Sequence, residues 1–303
     1  MAPDVERTAT NGFFPGFAKL DIETDDVSFG GAIGGTGSPL LLLHGYPQTH
    51  VAWRLIAPTL AKSHAVIVPD LPGYGDSQTR NDQPRWTKRR VANALVGLMD
   101  RLGHERFAVV GHDRGARAGY RLALDSPLRV SKYASLTVVP TLDAFAAVDK
   151  TFALNTWHWF FLAQPADLPE RMLAADPDAY IDAVLAKMSG GLERIDPSAL
   201  DAYRTAFRNP DVRHAICEDY RAATSEDLEH DASDFAAGRK LACPVLVLWS
   251  EREQKESNVA PLHTWSRWAA NVTGRGLPGG HLLPEDAPNE VLSALGSFLN
   301  DVR

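Results

Sequence analysis

Val109-Val110-Gly111-His112-Asp113-Arg114-Gly115-Ala116-Arg117 decides the reading of this chain. Two β-branched residues run into a turn of small residues, and a helical pattern opens directly behind it. Strand, sharp turn and helix in that order are the setting of a G-x-nucleophile-x-G elbow, here with Asp113 where serine commonly stands. A carboxylate cannot carry out ordinary serine acyl transfer. It can attack a saturated carbon and leave an alkyl-aspartyl ester for water to open. Arg114 and Arg117 are spaced i, i+3 on the first helical turn, so their guanidiniums can converge beside Asp113. Paired guanidiniums suit a planar carboxylate held by bidentate, charge-assisted hydrogen bonds. The expected ligand is a small acid whose α-carbon meets Asp113. The plainer alternative is a pair of surface or ion-pairing arginines on an ordinary helix; their position astride the elbow favours the ligand.

The rest of the chain supplies the frame for that turn. Residues 1–20 read as an arm whose Phe13, Phe14 and Phe17 pack on the body, and 21–33 as edge strands or a hairpin. Residues 39–43 form a short apolar run, hence a buried strand, and 65–68 another, with an amphipathic helix over 51–61 between them. The loop Asp70-Leu71-Pro72-Gly73-Tyr74-Gly75-Asp76-Ser77 is glycine-rich but lacks the spacing of a phosphate-binding loop. A helix over 86–102, a strand over 107–110, a helix over 114–124 and a strand over 130–139 follow. Strands alternating with helices predict an α/β fold, a mainly parallel sheet with helices on both faces. From 141 to 224 no buried strand run is visible. Helical stretches broken by prolines replace it, with Thr156-Trp157-His158-Trp159-Phe160-Phe161 their densest aromatic cluster. This texture predicts an inserted helical cap, so that core residues 1–140, a cap over 141–225 and core residues 226–303 succeed one another. A strand over 244–249, a helix over 261–270, a short strand before Gly279-Gly280-His281 and a helix over 289–302 complete the chain.

Composition narrows the class. At 303 residues, 45% hydrophobic and 23% charged, the chain matches one large globular α/β domain or a core with an insertion. A net charge of −7 argues against nucleic acid as a partner. The two cysteines, Cys217 and Cys243, form neither a disulfide framework nor a metal-ligand spacing. Residues 1–19 have no apolar segment of signal-peptide type, and no apolar run reaches membrane-spanning length, so the expected location is cytoplasmic.

The order nucleophile, cap, acid and late histidine resembles the α/β-hydrolase superfamily over nearly the whole chain. Its details resemble the fluoroacetate (haloacetate) dehalogenases. The stretches that carry this are His44-Gly45-Tyr46-Pro47-Gln48-Thr49-His50, Asp70-Leu71-Pro72-Gly73-Tyr74-Gly75, the elbow itself, and Leu124-Asp125-Ser126-Pro127. In the cap they are His158-Trp159, Phe161-Leu162-Ala163-Gln164-Pro165 and Cys217-Glu218-Asp219-Tyr220-Arg221, and near the end Gly280-His281 with Leu283-Pro284-Glu285. The arginine pair is the specific part, since related epoxide hydrolases and haloalkane dehalogenases usually carry tryptophan where Arg114 stands. The resemblance implies that Asp113 attacks the α-carbon and expels halide while Arg114 and Arg117 clamp the carboxylate. It implies that His158, Trp159 and Tyr220 hydrogen-bond the departing halide, and that His281 activates the water that opens the ester. The backbone N–H groups of Tyr46 and Arg114 would form the oxyanion hole. It also implies a haloacid substrate, a homodimer and a reaction that needs no metal or other cofactor. Trp159 and Tyr220 read alternatively as core aromatics, and His281 as a turn histidine; His44 and His112 are assigned to structure.

The chain departs from that family in two places. A base histidine needs a carboxylate to orient it and support its charge. The family places an aspartate after the strand over 130–139, where this chain has Thr137. Other α/β-hydrolases place the acid after the following strand, which here ends Leu248-Trp249-Ser250-Glu251-Arg252-Glu253. The expectation is a triad Asp113–His281–Glu253 with Glu251 in reserve, against an incomplete triad in which both glutamates are solvated. Asn155 stands where the family often has lysine near the cap entrance. Two rivals to a haloacetate dehalogenase remain. One is an epoxide hydrolase, which wants two cap tyrosines from among Tyr180, Tyr203 and Tyr220; the other is a carboxylate-binding sensor without turnover.

Overall fold

The apolar runs become the strands of one nine-stranded sheet in the computed structural model, which describes residues 12–300 except 256 and 258. In chain order they are β1 (Ala18–Glu23), β2 (Val27–Gly34), β3 (Ser38–Leu43), β4 (His64–Pro69), β5 (Gln78–Thr79), β6 (Phe107–His112), β7 (Val130–Leu136), β8 (Val245–Ser250) and β9 (Val272–Leu277). Their order across the sheet is β1-β2-β4-β3-β6-β7-β8-β9, with the short β5 against β2. All neighbours from β4 to β9 pair in parallel, whereas β1, β2 and β5 add antiparallel pairs at one side. In β3, Leu40 and Leu42 face one apolar cluster and Leu41 and Leu43 the other. Both faces of the strand are covered, which is why it reads as an unbroken apolar run instead of an alternating one.

The chain leaves β3 toward β4 on one side, and β6 lies on its other side. The carboxyl ends of β3 and β6 therefore flank a topological switch point, the crevice where open α/β sheets collect ligands. Tyr46 follows β3 and Asp113 follows β6, so the sheet itself brings them together.

Some expected bounds change. The helix over 51–61 is a 3-10 turn His50–Trp53 followed by a short helix Ala57–Leu60, with Pro58 in its first turn. The strand over 130–139 stops at Leu136 because Thr137 has φ 67°. A β-branched residue held there costs on the order of 1–3 kcal/mol. Residues 141–236 form only helices and turns, and their last helix, Glu226–Ala236, lies wholly beyond the boundary expected at 225. Its Asp231 and Asp234 pair with Arg121 on the helix behind Asp113, which ties it to the sheet's own helices. At the N-terminal end Phe14 is fully buried and stacks on His50, ring centroids 5.5 Å apart. The expected arm over 1–11 and positions 301–302 of the expected last helix lie outside the described residues. Within them the last helix is Pro288–Asn300.

Candidate active site

Asp113 is forced into an open conformation by what surrounds it. Its φ is 47° and ψ −115°, and Arg114 already begins the helix Arg114–Asp125. A Cβ on Gly111 would lie 2.5 Å from the Ala116 Cα, and one on Gly115 would lie 2.4 Å from the carbonyl oxygens of Leu43 and His44. Only glycines let the helix start so close to β3 and β6. The strained turn lifts the carboxylate clear of the strand. Its Oδ1 accepts the Tyr46 amide at 2.9 Å and its Oδ2 lies 3.4 Å from His281 Nε2. Burial alone would raise this carboxyl, but the hydrogen bond and charge of His281 and the charge of Arg114 hold it well below the carboxylate range.

His281 is located by several elements at once. Its amide donates to Met188 O at 3.0 Å, and its carbonyl accepts from His112 Nε2 at 2.8 Å. Its Nδ1 lies 3.1 Å from both carboxylate oxygens of Glu253. Glu253 is placed by the short helix Glu251–Gln254, whose cap Ser250 accepts the Glu253 amide at 3.1 Å and donates to Gly279 O at 2.8 Å. One serine thus fastens the Glu253 helix to the loop that carries His281. Glu253 faces His281, while Glu251 is exposed. Thr137 turns its hydroxyl back to Leu136 O at 2.8 Å. Burial would lower the imidazole, but the charge of Glu253 and hydrogen bonds to Asp113 and Glu253 raise it to about 10. Beside it, burial pushes His112 down to about 4, so this residue is neutral.

The two arginines differ from the expected symmetrical clamp. Arg114 gives Nε to Asp219 Oδ2 at 2.9 Å and Nη2 to Asp219 Oδ1 at 2.6 Å, with Nη2 also 2.9 Å from the Asp219 carbonyl. Its bidentate edge is therefore occupied, and buried Nη1 has no partner among the described residues. The same Asp219 accepts from Lys88 and from Tyr74. Arg117 has only neutral acceptors, Val139 O at 3.2 Å and Thr141 Oγ1 at 3.0 Å, and its buried Nε has no partner among the described residues. Thr141 is held in turn by Tyr120, whose hydroxyl donates to Asp231. Burial opposes the charge of Arg114, but Asp219 outweighs it and raises the group, whereas burial lowers that of Arg117. Arg117 is the less compensated cation, and it lines the cavity that Asp113 faces.

Aromatic residues close over these groups. The Arg114 guanidinium lies 4.6 Å from the Tyr220 ring centre, and that of Arg117 lies 4.8 Å from the Trp159 ring centre. His158 stacks on Tyr46 at 5.4 Å, and Tyr220 packs edge-on to both. Burial pushes His158 down to about 3, so it is a neutral imidazole with one N–H to donate. The Tyr220 hydroxyl is buried without a partner among the described residues. The other tyrosines are engaged: Tyr180 receives the Tyr46 hydroxyl at 3.0 Å, and Tyr203 donates to Glu285 at 3.0 Å. The cavity before Asp113 measures about 610 Å³ and is lined by Arg117, His158, Trp159, Glu253, His281 and Asn155 among others. Among the described residues no group of three or more His, Cys, Asp or Glu could hold a metal ion. No described helix is long and apolar enough to cross a membrane.

Sequence reasoning brought together Asp113, His281, Glu253, Arg117, His158, Trp159, Tyr220 and Tyr46. It missed Asp219, Lys88, Ser250, Thr141 and Tyr120, which hold the site. Asp219 had one available signal: two buried arginines on an elbow need a carboxylate, and it directly precedes Tyr220.

Comparison with known proteins shows the family. Residues 38–288 match the α/β-hydrolase fold family. The chain is 39% identical to a fluoroacetate dehalogenase of Burkholderia sp., covering 96% of each chain. It is 29% identical to a soluble epoxide hydrolase of Corynebacterium sp. (strain C12), over 89% of this chain and 92% of that one. A solved candidate epoxide hydrolase of Pseudomonas aeruginosa, in a variant with one threonine replaced by aspartate and with MFA bound, superposes with a TM-score of 0.91. That pair is 52% identical and covers 94% of this chain and 96% of that one.

Proposed function

This chain belongs to the α/β-hydrolase family, in its dehalogenase branch, and from that premise we propose that it removes halide hydrolytically from short 2-halo acids, haloacetate first. One observation carries the reading. Around a buried, ionised Asp113 stand three buried donors without partners among the described residues: Arg114 Nη1, Arg117 Nε and Tyr220 Oη. Buried polar groups are nearly always satisfied, so donors left over beside a nucleophile call for an anionic ligand.

In the first step an Asp113 oxygen forms a bond to the α-carbon as the carbon–halogen bond breaks, and the bonding pair leaves with the halide. Arg117, with Nη1 of Arg114, holds the carboxylate; His158, Trp159 and Tyr220 receive the halide. Before this step His281 is an imidazolium flanked by two carboxylates, which suits an ionised Asp113 but not a base. Esterification removes the Asp113 charge and with it one of those two supports. The imidazole value then falls toward the range of a general base. His281 next takes a proton from water, whose oxygen adds to the Asp113 carbonyl carbon. The Tyr46 and Arg114 amides receive the oxyanion. Collapse breaks the acyl–oxygen bond and releases a 2-hydroxy acid, so each cycle consumes one water and yields halide and one proton. Glu253 orients His281 and carries its charge in the place of the acid absent at Thr137. The helices of residues 141–225 act as the lid.

Chloride or fluoride release from chloroacetate and fluoroacetate tests this, with Asp113→Ala as control. Many halides per site, abolished by the substitution, are expected. Turnover of an epoxide without halide release would favour the rival enzyme, which would have to draw on Tyr180 and Tyr220, since Tyr203 donates its hydroxyl to Glu285. Carboxylate binding without turnover of either would favour the sensor.

A further inference from the structure

The cavity is much larger than the ligand assigned to it. Haloacetate displaces two to three water volumes, about 60–90 Å³, against about 610 Å³ of space. The excess is not uniform in character. The cavity lining includes Asp113, Arg117, His158, Trp159 and His281 together with the exposed Asp149, Lys187 and Arg252. It also includes an apolar group, Val138, Val139, Phe152, Val184, Trp249 and Pro261, all buried or half-buried, beside the polar Asn155, Thr156, Gln254 and Ser257. This apolar annex begins at the clamp itself, because Phe152 packs edge-on against Trp159 with centroids 5.4 Å apart, and Trp159 carries Arg117 on its face. Thr137 adds no charge there, since its hydroxyl is turned onto its own chain. A small acid leaves this wall facing water, whereas an apolar group on the attacked carbon covers it.

We propose, on the dehalogenase reading above, that the preferred substrates are 2-halo acids bearing an apolar alkyl or aryl substituent on the α-carbon, with the substituent in the annex. The chemistry is unchanged: Asp113 bonds to the α-carbon, halide leaves with its electron pair, and water opens the ester. Because the attack is in-line, the configuration at the α-carbon inverts.

Attack at a substituted carbon changes the intrinsic rate, so binding is measured apart from turnover. Calorimetric titration of the wild-type protein with acetate, propionate, butyrate and phenylacetate is expected to show Kd falling about fourfold per added methylene, the factor given by ~0.8 kcal/mol per buried CH₂. Phenylacetate is expected to bind most tightly. Val184→Phe, which fills the annex without touching the clamp, is expected to remove the phenylacetate gain and leave the acetate Kd unchanged. Both 2-chlorobutyrate and 2-chloro-2-phenylacetate are expected to release chloride. A flat Kd series overturns the annex. So does chloride release confined to chloroacetate. No chloride from any acid, whatever the Kd series, overturns the dehalogenase reading instead.

Discussion

At His281 the decisive quantity is how many carboxylates face the ring. Asp113 and Glu253 together hold the imidazole at about 10, above 6.5 for the ordinary group. A folded value above the unfolded one stabilises the fold fully below about pH 6.5, and that contribution is lost as pH rises through about 10. Thermal unfolding should therefore show the wild type losing stability relative to His281→Asn between pH 7 and 10, with little relative change between pH 5 and 6. Removing only the Glu253 charge leaves the histidine present but less basic and less oriented. Glu253→Gln should slow ester opening by two or more orders of magnitude, as loss of the orienting acid does in related triads (about 10⁴ in kcat), while the initial burst of halide survives. A burst followed by unaltered steady turnover would remove Glu253 from the triad. The two arginines should also separate. Arg117→Ala deletes the cation that lacks a carboxylate partner, and should raise KM by roughly 10²-fold, the worth of charge-assisted hydrogen bonds at 1.5–3 kcal/mol each. Asp219→Asn should raise KM less, because Arg114 remains, yet cost about 3–5 kcal/mol of stability by leaving a buried cation uncompensated. Equal KM effects from the two substitutions would contradict the unequal roles.

Among the elements, the helix behind the elbow depends on the two helices Pro210–Ala223 and Glu226–Ala236. Asp219 of the first holds Arg114, and Asp231 and Asp234 of the second hold Arg121. Asp227, between them, accepts the Lys88 amide with one oxygen and leaves the other buried without a partner among the described residues. Burial lifts its carboxyl to about 6 from 3.8. Here the protonated form favours the fold: the contribution is complete below pH 3.8 and lost as pH rises through about 6. Asp227→Asn should consequently gain more stability at pH 8 than at pH 5, by about 1 kcal/mol at 1.36 kcal/mol per pH unit, measurable by urea unfolding. An equal gain at both values would mean that Asp227 is already ionised in the fold at pH 5. Of this set only Asp219 left a trace in the chain, the need of two buried arginines for a carboxylate. The elbow could be read because its signals are local, with apolar strand, glycines and arginines within nine residues. Asp219 lies about a hundred residues away, and nothing in its own helix distinguishes it from a solvated acid until the helix packs.

For the molecule as a whole, the sheet was readable because strands buried on both faces leave unbroken apolar runs such as Leu40–Leu43, and these recur between helical patterns. The exact end of β7 was not, because Thr137 adopts a conformation that its type disfavours. The expectation of Glu253 as the triad acid rested on the end of β8 alone, and the contact of Glu253 with His281 depends on Ser250 joining two loops from different strands. The switch point of the sheet brings Tyr46 and Asp113 together, the loop after β9 carries His281 to them, and the helices of 141–225 bring His158, Trp159 and Tyr220 over them. On the proposed mechanism this assembly splits one displacement into alkylation by Asp113 and hydrolysis by His281. The sharpest test is the intact mass of His281→Asn after mixing with chloroacetate, followed by peptide mapping. One chloride per site and a carboxymethyl ester on Asp113 that persists are expected. Continued chloride release by an unmodified protein, or an adduct on any other residue, would contradict that mechanism.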